Sequence, residues 1–147
     1  MPRIAMWNLV FGFALICLAA ASGAIVANDM SNAFVDTIQT GRSATQDWTL
    51  TLQGSAHGHV NLFGVLHIAL GLTMPYARQT QRLRLLITTG LTGGSIAMGP
   101  LMIWRSLLQP VREIEASGIL IGIFLCLSLA ALMIHTAGLW QAFARRD

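Results

Sequence analysis

The chain has 147 residues, of which 54% are hydrophobic and only 10% charged. Soluble domains carry about a quarter charged residues, and a small domain, with much surface for its core, depends on them. An ordinary soluble fold is therefore excluded, and the apolar surplus is left to face lipid. The formal charge of +3 comes from nine arginines and no lysine against six acids. Because Arg78, Arg82 and Arg84 fall between two apolar stretches, the basic excess reads as a topology signal and nucleic acid is not expected as a partner.

Four apolar spans follow one another at roughly residues 4–27, 56–76, 85–104 and 118–143. Each is near the length of about twenty residues that a bilayer core demands. The expected fold is all-α: one domain, an integral membrane four-helix bundle. Pro2-Arg3 before the first span and Ala24-Ile25-Val26-Ala27 at its end give it the outline of a signal peptide; we read it as a retained helix. Residues 28–55 are polar and are expected to form a long outer loop, a lid or interface element on the same side as His57. The second connection is a short basic turn after Pro75.

Arginine placement gives the orientation. With the amino terminus inside, that side carries Arg3, Arg78, Arg82, Arg84, Arg145 and Arg146, against Arg42, Arg105 and Arg112 outside. Both termini are thus expected to be cytoplasmic, in a bacterial inner membrane. Trp7 and Trp140 fall at the inner boundary and Trp48 and Trp104 at the outer one, as interfacial indoles do. The third span is dense in small residues: Gly90 and Gly94 are four apart, as are Ser95 and Gly99. That spacing lets helix backbones approach closely, within one bundle or between subunits, and a homo-oligomer is favoured. Pro100 is expected to kink the last turn of this span. Cys17 and Cys126 lie in apolar spans and read as small buried hydrophobes; no Cys-x-x-Cys-His occurs, which excludes covalently attached haem.

Ionisable groups at membrane depth are costly and need a reason to be there. Three of the four histidines, His57, His59 and His67, lie in the second span and His135 in the fourth; no acidic residue lies in any span. Carboxylate-bridged metal chemistry therefore lacks its partners. At about 100° per residue, Asn61, Gly64, Ile68 and Gly71 fall at about +40°, −20°, +20° and −40° from His57. His59 lies about 160° away, on a bulky stripe with Phe63, Leu66 and Leu70, and His67 falls between the stripes. A nitrogen ligand above Gly64 and Gly71, which leave space, suits a flat macrocycle such as haem b. His57 is the expected metal ligand, with His67 and His59 as second choices. Arg42, Arg105 and Arg112 lie on the outer side to pair with propionates, although Glu113 and Glu115 compete for them. His135 is about 25 Å below the outer end at 1.5 Å per residue, too far to share an iron with His57 in one chain.

These residues resemble a family, styrene oxide isomerase, a small four-helix membrane enzyme. Trp48 precedes Ala56-His57, Pro75 closes the second helix eighteen residues after the histidine, and Arg84-Leu85-Leu86 opens a third helix with Gly94 and Gly99. The likeness spans roughly residues 48–99. It implies a homotrimer that binds haem b through His57 at a subunit interface. It further implies ferric iron acting as a Lewis acid on a small hydrophobic epoxide drawn from the lipid phase. The iron takes the epoxide oxygen, the ring opens to a benzylic cation, and a 1,2-hydride shift yields the aldehyde. The family's substrate-orienting asparagine would fall at Phe63 and its helix-three tyrosine near Leu101, while the only tyrosine here is Tyr76. Asn61 stands in as the catalytic candidate only with a shift of register. The haem ligand thus carries over as His57 and the substrate pair does not.

A looser resemblance links His57-Gly58-His59-Val60-Asn61-Leu62-Phe63-Gly64 to the His-x-His segments of haem–copper oxidase and nitric oxide reductase-like proteins. The first reading is a haem-dependent epoxide isomerase. The alternatives are a b-type cytochrome, working in electron transfer or in nitric oxide or oxygen chemistry, and a non-catalytic membrane subunit. Transport is disfavoured because no internal repeat is visible.

Overall fold

The computed structural model describes residues 1–40, 44–108, 110 and 115–144. They form four helical rods: α1 (Arg3–Thr40), α2 (Ala44–Thr73), α3 (Gln81–Ser106) and α4 (Ala116–Phe143). α1 pairs with α2 and α3 with α4, and the two hairpins join where α2 meets α3. α1, α3 and α4 are long and apolar enough to cross a membrane. α2 was expected to be a fourth such span, but it falls outside that set. Its 30 residues include Asp47, His57, His59 and Asn61, which dilute its apolar character.

The long outer loop is not found. Asn28–Thr40 continues α1 to 38 residues, and α2 begins at Ala44, well before Ala56. Polarity suggested a loop, yet Met30, Phe34 and Ile38 recur at the four-residue spacing of a helix, and the segment holds no proline. At 1.5 Å per residue α1 is ~57 Å long, against a bilayer core of about 30 Å. α1 is therefore longer than a single bilayer crossing needs.

Close backbone approach holds the first hairpin together. A Cβ placed on Gly64 would lie 2.7 Å from Ile16 Cγ1, and one on Gly12 2.6 Å from the Gly64 carbonyl oxygen. A Cβ on Gly71 would meet the Ala5 carbonyl oxygen at 2.8 Å, and one on Gly23 would meet His57 Cε1 at 2.7 Å. The stripe His57–Gly64–Gly71 thus runs along α1 from Gly23 to Ala5. In the second hairpin Gly90 faces Ala131 and Gly93 faces Phe124, so the small residues of α3 are used within the chain.

Thr80 opens α3 by accepting the Leu83 amide hydrogen at 3.3 Å. Pro100 lies in a π-helical turn, Ala97–Leu101. Proline cannot donate, and a one-residue widening of the helix absorbs the missing bond. The helical run continues past this turn to Ser106. At the C-terminal end of α3 Trp48 Nε1 donates to the Leu108 carbonyl at 3.1 Å and Thr49 Oγ1 to the Ser106 carbonyl at 3.0 Å. These bonds satisfy carbonyls that the end of α3 leaves open.

Phe63, Leu70, Met74, Ile87, Leu91 and Met98 form the core where the hairpins meet. Large apolar side chains such as Leu18, Leu62, Leu86, Leu129 and Met133 cover the outside. Cys17 and Cys126, expected to be buried, are exposed on that surface. An apolar periphery of this extent suits a lipid surround.

Candidate functional site

His57 lies on the face of α2 turned to α1, its ring edge against Gly23. Its Nδ1 is buried and has no hydrogen-bond partner. The side chain lines a cleft of about 260 Å³ between α1, α2 and the π-turn, walled by Phe11, Leu15, Val60, Ser95 and Gly99. Leu18, Ile96 and Ile103 form its rim and are exposed, so the cleft opens sideways toward the apolar surround.

The sequence assigned the space beside His57 to Gly64 and Gly71. The structure fills that space with α1: Ile16 and Gly12 occupy one position and Ala5 and Leu9 the other. These glycines are helix-packing contacts and neither lines the cleft. The open space beside His57 is bounded instead by Gly99 and Pro100 of α3. Asn61 is half-buried and also lies outside the cleft lining.

Arg105 is engaged in the fold. Its guanidinium is 3.2 Å from Glu115 and stacks over the Trp48 ring at 4.8 Å, closing the clasp between α2 and the end of α3. Arg112, Arg42 and Glu113 lie outside the described residues. Among the described residues, no cluster of three or more His, Cys, Asp or Glu side chains is arranged to hold a metal ion; an axial haem ligand needs only one histidine.

The other histidines are paired. His59 Nδ1 is 2.8 Å from the Ser55 carbonyl oxygen, a bond within its own helix. His135, placed by the sequence as an interfacial residue above Trp140, is buried. Its Nε2 is 2.8 Å from Thr73 Oγ1 and its Nδ1 3.3 Å from Gln79 Oε1, which ties α4 to the turn between α2 and α3.

His67 is fully buried at the junction of α1, α2 and α3. Its Nδ1 is 2.7 Å from Asn8 Oδ1 and its Nε2 3.2 Å from Ser95 Oγ. Asn8 Nδ2 donates to the Ile4 carbonyl at 2.9 Å and to Thr88 Oγ1 at 2.8 Å. Those two bonds fix the amide, because a flipped Asn8 would set its oxygen against the Ile4 oxygen. Asn8 Oδ1 must then accept, so His67 carries its proton on Nδ1 and its Nε2 lone pair faces Ser95. The ring of Phe11 stands edge-on to His67 at 4.9 Å between centroids. The sequence reading missed Asn8 and treated Ser95 only as a small packing residue. The signal available was that Asn8 is the first amide inside an apolar span.

Comparison of the chain with protein-family models, with curated proteins and with solved structures gives no match.

Proposed function

We propose that the chain is an integral membrane protein of four crossing helices, with α2 carried inside the bundle and both termini cytoplasmic in a bacterial inner membrane. Its function on this reading is to hold haem b at the cleft through His57. The supporting observation is the His57 imidazole, whose buried Nδ1 has no partner beside an apolar cleft. An unsatisfied buried nitrogen costs on the order of 1–3 kcal/mol, and such an orphan points to a partner supplied from outside the fold.

The fit of the macrocycle is limited in one respect. About 260 Å³ is below the roughly 300–1,000 Å³ of pockets that enclose a drug-sized ligand. One chain therefore supplies the ligand and one wall, and a second copy against the exposed rim completes the site; the resemblance to a trimeric family supports this arrangement. The glycine groove of α2 does not contribute, and Arg105 is not free for a propionate. When bound, ferric haem supplies a Lewis-acidic site for an oxygen ligand. Phe11, Leu15, Leu18 and Val60 give the cleft apolar walls, and the open rim admits a small hydrophobic molecule from the lipid phase.

The activity that follows is isomerisation of a small hydrophobic epoxide to an aldehyde. Haem-supplemented protein incubated with an aryl epoxide should yield the aldehyde, and His57→Ala should not. Equal aldehyde from wild type and His57→Ala would remove the isomerase reading. The cytochrome alternative loses its motive here, since His67 and His135 each have both ring nitrogens in hydrogen bonds.

A further inference from the structure

Ser95, His67 and Asn8 form a chain of three groups with a single direction. The amide oxygen of Asn8 holds the Nδ1 proton of His67 at 2.7 Å, and the bare Nε2 receives the Ser95 hydroxyl at 3.2 Å. The same hydroxyl is 3.3 Å from the Leu91 carbonyl oxygen, to which it can also donate, so its one proton is shared between that carbonyl and His67 Nε2. Ser95 itself is one of the residues that line the cleft, with Phe11, Leu15, Val60 and Gly99. Nucleophile hydroxyl, imidazole base and orienting acceptor, each within hydrogen-bond reach of the next, are the geometry by which a base-activated serine is recognised whatever the fold.

A purely structural network needs the same bonds but does not need Ser95 to border a cavity. Asn8 and Thr88 continue the network behind His67, yet a carboxamide does not relay protons as a hydroxyl or imidazole does. A proton taken up by His67 can therefore leave only by way of Ser95 and the cleft. That confinement suits a base that must return its proton to a leaving group.

We propose that Ser95 is a nucleophile, with His67 as its general base and Asn8 as the orienting group, and that the cleft accepts small apolar acyl esters. Ser95 Oγ bonds to the ester carbonyl carbon while its proton passes to His67 Nε2. The bond from that carbon to the alkoxy oxygen breaks, and the alcohol leaves with the proton from His67. Water then hydrolyses the acyl-serine by the same route. His57 and Ser95 line the same cleft, so the proposal applies to the protein without haem.

The probe is a fluorophosphonate with a short alkyl chain, added to the full-length protein in detergent and followed by intact mass and peptide mapping. The expected result is one adduct on Ser95, with the Oγ–P bond formed and fluoride released. Ser95→Ala should give none, and His67→Gln should slow labelling at least about 100-fold, the lower range of general-base assistance. Asn8→Asp, which keeps an acceptor, should retain more labelling than Asn8→Leu. Gln79–His135–Thr73 repeats the pattern at the other end of the bundle and serves as an internal control. Wild-type protein that stays unlabelled, labelling that persists in Ser95→Ala or is as fast in His67→Gln, or an adduct on Thr73 overturns the proposal. Haem-free protein that stays unlabelled yet takes up haem when it is added sinks this proposal alone; protein that is labelled but takes up no haem sinks only the haem reading.

Discussion

Asn8 of α1 and His67 of α2 are joined by a 2.7 Å hydrogen bond in the buried interior, and that bond sets which nitrogen of the imidazole carries the proton. Both residues are fully buried, where an unmet polar group has no water to turn to. Asn8→Ala should lower stability by about 1–3 kcal/mol, the usual cost of a buried donor left alone. In a double-mutant cycle, adding His67→Phe should cost less in the Asn8→Ala background than in wild type, because the partner is already lost. Additive losses in reversible unfolding from mixed micelles would show that the bond contributes no coupling.

The α1–α2 seam makes a contrasting pair of predictions. Gly64→Leu sets a side chain into Ile16 and the Gly12 carbonyl. Overpacking of this kind costs about 1–3 kcal/mol or more when backbone must move. Gly58, where an added Cβ would meet nothing within 4 Å, should accept alanine and gain roughly 0.5–1 kcal/mol of helix stability. Equal responses from the two glycines would contradict the seam.

At the clasp between α2 and the end of α3, Arg105 bonds to Glu115 and stacks on Trp48. Arg105→Ala removes both contacts, whereas Glu115→Gln leaves the stacking in place. The first should destabilise by about 1 kcal/mol and the second by less, since partly exposed ion pairs contribute roughly 0–1 kcal/mol and cation–π pairs about 0.5–1 kcal/mol. Arg105→Lys should recover only part of the loss, because an ammonium cannot stack as a planar guanidinium does. Thermal unfolding of the three variants gives the ranking.

Membrane placement can be read from thiol chemistry. Cys17 and Cys126 are exposed on α1 and α4, in stretches apolar enough to cross a membrane. In intact vesicles a charged, membrane-impermeant maleimide should leave both unmodified and should label them after SDS is added. Asp36→Cys, near the C-terminal end of α1, should be labelled without detergent when its side faces the reagent. Rapid labelling of Cys17 in vesicles would place that part of α1 in water.

Much of the architecture was legible because apolar runs near bilayer length dominate three helices. The extension of α1 to Thr40 and the early start of α2 at Ala44 were obscured by polarity; the spacing of Met30, Phe34 and Ile38 carried the helical signal. Angular positions on α2 grouped His57, Gly64 and Gly71 on one stripe, and in the structure all three face α1. What that stripe faces depends on a partner helix, and periodicity within α2 cannot tell an open groove from one filled by Gly12 and Ile16. The cleft depends on the π-turn at Pro100, a tertiary adjustment with only the proline as its local mark. The Asn8–His67–Ser95 chain joins residues from three helices, so no spacing along the sequence could reveal it.

Haem b held by His57 is tested most directly by an absorption spectrum of the detergent-purified protein, oxidised and then reduced. Wild type expressed with ample haem should show a Soret band that shifts on reduction, and His57→Ala, with unchanged helical content, should lose it. A colourless wild type, or a Soret band of equal intensity in His57→Ala, would contradict that role for His57.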